Sequence, residues 1–186
     1  MQDEELARII EIFQKPEPQR ATLEERVQAI EDREAIRQVL MGYGYLCDAR
    51  RWDELFELYT DDIERELAGT LTENVKGKDQ LRPLYEAPAL PNKGDGAAPS
   101  AARINTYELR HLIVGDFVRL DPSGTKGWAC AAYSLVASSD ADGTFTRGQH
   151  EGGYIFEMRK CEDGRWRVAK MTVFSENARN PLFQSS

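Results

Sequence analysis

Few side-chain types in this 186-residue chain could carry chemistry. There are two histidines, His111 and His150, and three cysteines, Cys47, Cys130 and Cys161. The cysteines are odd in number, widely separated and form no CxxC, so neither a disulfide framework nor a zinc site is expected. Cys47 and Cys130 lie in apolar stretches, the usual setting of a buried structural thiol. Two histidines are too few for a multi-histidine metal centre, and no metal ligand or cofactor is expected. What is left is acid–base work by imidazole, carboxylate and phenol. Neutral imidazole can take up a proton and return it, because its ordinary pKa lies near neutrality.

These groups need elements to position them. Residues 3–13 place Leu6, Ile9, Ile10 and Phe13 at helical spacing, ended by Pro16 and Pro18. A second helix begins after Thr22, where TLEE reads as a capping box. Its apolar stripe starts with Leu23, Val27 and Ile30 and continues through Ile36, Val39, Leu40, Tyr43 and Leu46 or Cys47. Asp48 stands at its end. WDELFELY makes a shorter helix closed by Thr60-Asp61-Asp62, IERELAG and LTENVKG two short strands, and KDQLRPLYE a helix interrupted by Pro83. Residues 87–103, rich in Pro, Gly and Ala, read as an exposed loop, either a lid or a tolerated insertion. From residue 104 the chain is nearly all strand, with turns at Pro-Ser-Gly, Asp-Ala-Asp-Gly and Glu-Asp-Gly. Helices first and long antiparallel strands after predict an α+β domain in which a curved sheet wraps a long helix and leaves a cavity.

Within that frame, strand alternation puts Tyr107, Leu109 and His111 on one face, and His150, Gly152, Tyr154 and Phe156 on one face of a later strand. The glycines there suit either a ligand or sheet curvature. Trp52, Trp128, Tyr133 and Phe174 are candidates to line an aromatic-binding pocket. The net charge of -8 argues against nucleic acid and anionic membranes as partners. No apolar run approaches the ~20 residues of a spanning helix, and MQDEELARII lacks the order of a signal peptide, so a cytoplasmic location is the default.

Three segments in order, YGYLCDARRWDELFELYTDD, YELRHLIVGD and GGYIFEMRKCEDGRWRVAKM, resemble the NTF2-like, or SnoaL-like, superfamily over residues 25–177. The resemblance implies an α+β cone spanning residues 22–177, with a helical extension at 1–21 and a tail at 178–186. Within the superfamily the chain is most similar to the cofactor-free lyases: bile acid dehydratase, scytalone dehydratase, hexachlorocyclohexane dehydrochlorinase and the γ-formaldehyde lyases of lignin-dimer catabolism. By that likeness Asp48 matches their helix-end aspartate, His111 their strand histidine and Tyr43 a catalytic tyrosine, with His150 in the place of a second histidine. The implied reaction eliminates water or formaldehyde from a hydroxylated aromatic or other apolar small molecule, and the implied assembly is a homotrimer.

Helical geometry leaves the tyrosine open. Five residues at about 100° each put Tyr43 roughly 140° from Asp48. Tyr45, three residues before Asp48, lies closer in azimuth and competes for the same role. Two other readings stand beside the lyase: a SnoaL-like cyclase or isomerase in which Asp48 itself shuttles the proton, and a non-catalytic β-type subunit of a ring-hydroxylating dioxygenase.

Overall fold

The computed structural model describes residues 3–17, 19–68, 74–86, 108–141 and 144–175. The 87–103 loop and Tyr107 lie outside them. In chain order the elements are α1 (Asp3–Gln14), α2 (Leu23–Asp48), α3 (Trp52–Glu57), β1 (Tyr59–Ala68), β2 (Val75–Lys76), α4 (Lys78–Glu86), β3 (Glu108–Leu120), β4 (Lys126–Ala141), β5 (Thr144–Lys160) and β6 (Trp166–Ser175). The six strands form one open sheet in the order β2-β1-β6-β5-β4-β3. Every neighbouring pair is antiparallel except β1 with β6. This is the α+β architecture expected, with a sheet that does not close. Among the described residues no helix is long and apolar enough to cross a membrane.

Local chemistry starts α2 where the sequence places it. The Thr22 hydroxyl accepts from the Glu25 amide at 3.1 Å and the Glu25 carboxylate accepts from the Thr22 amide at 3.2 Å, so the capping box is complete. The buried stripe starts later than expected: Leu23, Val27 and Ile30 are exposed, and burial begins at Ala29 and Asp32. Asp32, a buried charge in the first half of α2, anchors that half to the sheet. It accepts from the Trp166 indole at 2.9 Å and pairs with Lys160 at 2.8 Å. Ile36, Val39, Leu40, Tyr43 and Cys47 then pack on the inner face of the sheet with Ile63, Ala131, Tyr154, Phe156 and Met171.

Helix α1 does not join α2 inside the curve. It buries Ile12 on the opposite face, against Ala68, Cys130, Ile155 and Phe174, and leaves Leu6, Ile10 and Phe13 exposed. Arg8 clamps it to β1 through a two-pronged pair with Glu66 at 3.0 and 3.1 Å. Gly153 makes this docking possible, since a Cβ there would overlap the Glu5 carboxylate, and Gly152 likewise makes room for the Phe174 carbonyl. Both glycines therefore accommodate protein atoms.

Two boundaries differ from expectation. Thr60, Asp61 and Asp62 open β1 instead of closing α3. Helix α4 runs through Pro83. The first strand after residue 104 is β3, carried across a bulge between Val114 and Phe117 where Gly115 takes φ 65°.

Candidate active site

The C-terminal end of α2 sets the first half of the site. The Arg50 amide donates to Cys47 O at 3.1 Å and the Arg51 amide to Leu46 O at 2.9 Å. With Arg50 at φ 54° these bonds make a Schellman stop, which ends the helix one residue after Asp48 and fixes the backbone carrying it.

The second half comes from the edge of the sheet. β3 is the last strand, bonded only to β4, and His111 faces Leu135 across that pair. The His111 amide points the other way and donates to both carboxylate oxygens of Asp48, at 3.1 and 3.0 Å. The same carboxylate meets His111 Nδ1 at 2.6 Å. The two side chains are only 5% and 9% exposed. Arg110, on the opposite face of β3, brings its Nη1 to 3.9 Å from Asp48. With Asp48 accepting at Nδ1, the proton of a neutral ring sits on that nitrogen and the lone pair on Nε2. Nε2 makes no hydrogen bond among the described residues.

Close approach of helix and strand sets this geometry. A Cβ on Gly44 would come within 3.2 Å of His111 Cβ and 3.1 Å of Ile113 Cδ1. Gly44→Val is therefore expected to cost about 1–3 kcal/mol of stability and to turn the imidazole away from Asp48. Thermal melting and turnover, read together, check it. Wild-type turnover in that variant would mean that helix–strand contact does not set the dyad.

The imidazole faces an aromatic floor. Tyr43 lies 5.7 Å from the His111 ring, 5.5 Å from Tyr154 and 5.4 Å from Phe156, each edge-on. Tyr154 stacks on Tyr133 at 4.2 Å. Beyond Tyr43 lie Tyr59 and Tyr85, with hydroxyls 3.4 Å apart, and Trp52 tilts against Tyr85 at 5.8 Å. Burial pushes the phenols of Tyr43, Tyr59 and Tyr154 well above their ordinary pKa, and raises Tyr85 against the pull of Arg65. These groups are neutral hydrogen-bond donors at physiological pH. Burial also raises the Cys47 thiol and lifts Cys130 to about 12, so neither supplies a thiolate.

The structure thus brings together His111, Asp48, Tyr43, Tyr133 and Tyr154, with Trp52 at the far side. Three expected site residues go elsewhere. Tyr45 is 69% exposed on the outer side of α2, because the helix presents Tyr43 and Cys47 to the sheet. Trp128 and Phe174 belong to the face under α1, where Lys15 sits 5.0 Å over the Trp128 ring. The backbone of His150 pairs with Leu135, and Tyr107 lies outside the described residues. Sequence reading missed Tyr59, Tyr85 and Arg65. The sequence places Tyr59 in the WDELFELY helix, and for Arg65 the Ile63-Arg65-Leu67 alternation is the available signal.

A cleft of about 420 Å³ reaches Asp48 from the open edge, lined also by Arg50, Glu108, Leu109, Arg110, Val136 and Ser138. Among the described residues no phenol lines it. Among the described residues no three His, Cys, Asp or Glu side chains converge in a way that could hold a metal ion.

Comparison with known proteins agrees with this architecture. Residues 28–172 match the sequence profile described as the SnoaL-like domain. An NTF2-like protein with a cystatin-like fold from Novosphingobium aromaticivorans is 20% identical, with 86% of this chain and 94% of that one covered and a TM-score of 0.63. A candidate scytalone dehydratase from the same organism is 16% identical, over 81% and 88% of the two chains, TM-score 0.63. LinA is 15% identical, over 81% and 90%, TM-score 0.62. A search among curated proteins finds no match.

Proposed function

The chain belongs to the SnoaL-like family, and from that premise we propose that it is a cofactor-independent lyase acting on hydroxylated, largely apolar or aromatic small molecules. One observation carries the reading: His111 Nδ1 is held at 2.6 Å by a buried carboxylate, while Nε2 is left free above an aromatic floor. That is the arrangement of a general base whose tautomer is fixed and whose imidazolium is stabilised once formed. The solved relatives that share the fold include a candidate scytalone dehydratase, which supports a dehydratase-type reaction.

In the dehydration version Nε2 removes a proton from a substrate carbon. Its electron pair becomes the new double bond as the neighbouring C–O bond breaks, and the departing oxygen leaves as water after protonation. Tyr43, neutral and edge-on to the imidazole, polarises or protonates that oxygen. In the deformylation version Nε2 takes the proton of a primary alcohol. The O–H electron pair becomes the C=O bond of formaldehyde, and the C–C pair forms a new double bond to the adjacent benzylic carbon as that carbon's C–O bond breaks, its oxygen leaving as water after protonation.

The test is a turnover screen of hydroxylated aromatic and steroid-like compounds, with and without chelator, read by new conjugated absorbance and by released formaldehyde. Product without any added cofactor is expected, and activity abolished by chelator would overturn the cofactor-free reading. In the same assay Tyr43→Phe is expected to lower kcat about 100- to 1,000-fold, the effect of losing one oxygen-directed donor. Full activity in that variant would take the donor role away from Tyr43.

A further inference from the structure

Among the described residues Arg65 is a cation without a matching anion. Strand alternation puts it on the inner face of β1 between Ile63 and Leu67, opposite Met171 of β6 in the sheet register. Its Nε is sealed from solvent and makes no hydrogen bond, and no ion pair reaches its guanidinium among the described residues. The guanidinium carbon lies 5.9 Å from the centre of the Tyr85 ring. The groups that act on it electrostatically are the phenols of Tyr85, Tyr43, Tyr59 and Tyr154, all neutral donors, so none supplies a charge. The arginines of the outer surface are treated differently: Arg8, Arg37, Arg159 and Arg167 each meet a carboxylate.

Withdrawing a guanidinium from water without a counter-charge costs several kcal/mol. A chain with 32 acidic residues had no shortage of partners to place beside it. Arg65 nonetheless keeps some accessible surface. Its planar fork of donors matches the two oxygens of a carboxylate and also suits the single oxygen of a phenolate. β1 and β3 are four strand spacings apart, roughly 20 Å along the sheet and less across the curve. Tyr43 and Tyr154 lie between them.

We infer that Arg65 is a specificity-determining residue that binds an anionic oxygen, carboxylate or ionised phenol, at the end of an elongated aromatic substrate whose other end lies at His111. The inference rests on the concave face being the substrate site, as proposed above, and does not depend on which bond is broken there. A neutral ester or ether in the same position leaves the guanidinium uncompensated and binds more weakly.

Binding without turnover tests it. Titration calorimetry at neutral pH and low salt would compare cinnamate with methyl cinnamate, and para-nitrophenol with para-nitroanisole, on wild type, Arg65→Met, Arg65→Lys and His111→Ala. Wild type is expected to favour at least one anion over its neutral partner by roughly 10- to 100-fold, the worth of one charge-assisted hydrogen-bond pair. Preference for cinnamate alone or nitrophenolate alone identifies the source of the oxygen. Arg65→Met should abolish the preference and Arg65→Lys keep part of it. His111→Ala should leave it intact, so a failed dyad and a failed anion site give different results. Equal binding of anion and neutral partner in wild type, preference unchanged in Arg65→Met, or no binding of any probe would each overturn the inference. Should Arg65→Met not fold, the wild-type ratios and Arg65→Lys decide.

Discussion

His111→Ala is expected to lower kcat/KM by about two to four orders of magnitude, the range for removing a positioned general base, while the fold survives. The second half follows from how the histidine is held. Asp48 binds the backbone amide of residue 111 as well as the ring, at 3.1 and 3.0 Å. Alanine keeps that amide, so the strand stays tied to the helix end and the stability loss stays within about 2 kcal/mol. Turnover of any substrate found in the screen, beside a thermal melt, checks both parts. Activity within tenfold of wild type would remove His111 from the mechanism.

Asp48 should behave in the opposite way, losing stability and activity together. Asp48→Ala strands two buried donors, the His111 amide and Nδ1–H, at about 1–3 kcal/mol each, and so is more destabilising than His111→Ala. Asp48→Asn separates the two functions. Its amide oxygen can still accept from the edge strand, which restores much of the stability. It carries no charge to stabilise an imidazolium and offers a ring partner that can fix the wrong tautomer. A fall in turnover of about 10²- to 10⁴-fold is expected for that loss. Melting temperatures ordered wild type, Asp48→Asn, Asp48→Ala, with both variants nearly inactive, is the predicted pattern. An active Asp48→Asn would reduce the carboxylate to a structural acceptor.

The features legible in the sequence were the locally encoded ones. The Thr22–Glu25 capping box needs only four consecutive residues, and the switch from helical to alternating periodicity needs only a short window. The features that were misread depend on contacts distant in sequence. Leu23, Val27 and Ile30 have the spacing of a core stripe, but the sheet reaches only the later turns of α2, so they face solvent. Tyr45 is nearer Asp48 in azimuth than Tyr43, yet β3 approaches the side of the helix that carries Tyr43. Trp128 and Tyr133 are five residues apart on β4, so alternation puts them on opposite faces, and which of the two is the inside follows from where α2 docks. Arg65 was hidden for the same reason: one charge in a charged strand shows its burial only after β1 is placed beside β6. His111 and Asp48 could be matched to a family pattern, whereas the bond between Asp48 and the strand backbone could not be read from it.

That last bond bears on how aspartates at this helix end are interpreted in other chains. Among the described residues no strand pairs with the outer edge of β3, and such an edge is a template for a strand from another molecule. At His111 that template is occupied by the Asp48 carboxylate. The aspartate therefore occupies one backbone position of that edge, independent of any reaction. A relative that had lost the histidine and its chemistry would still have reason to retain the acid. Presence of the aspartate alone is then a marker of the fold's sheet edge. The imidazole beside it is what distinguishes a chain equipped to move a proton.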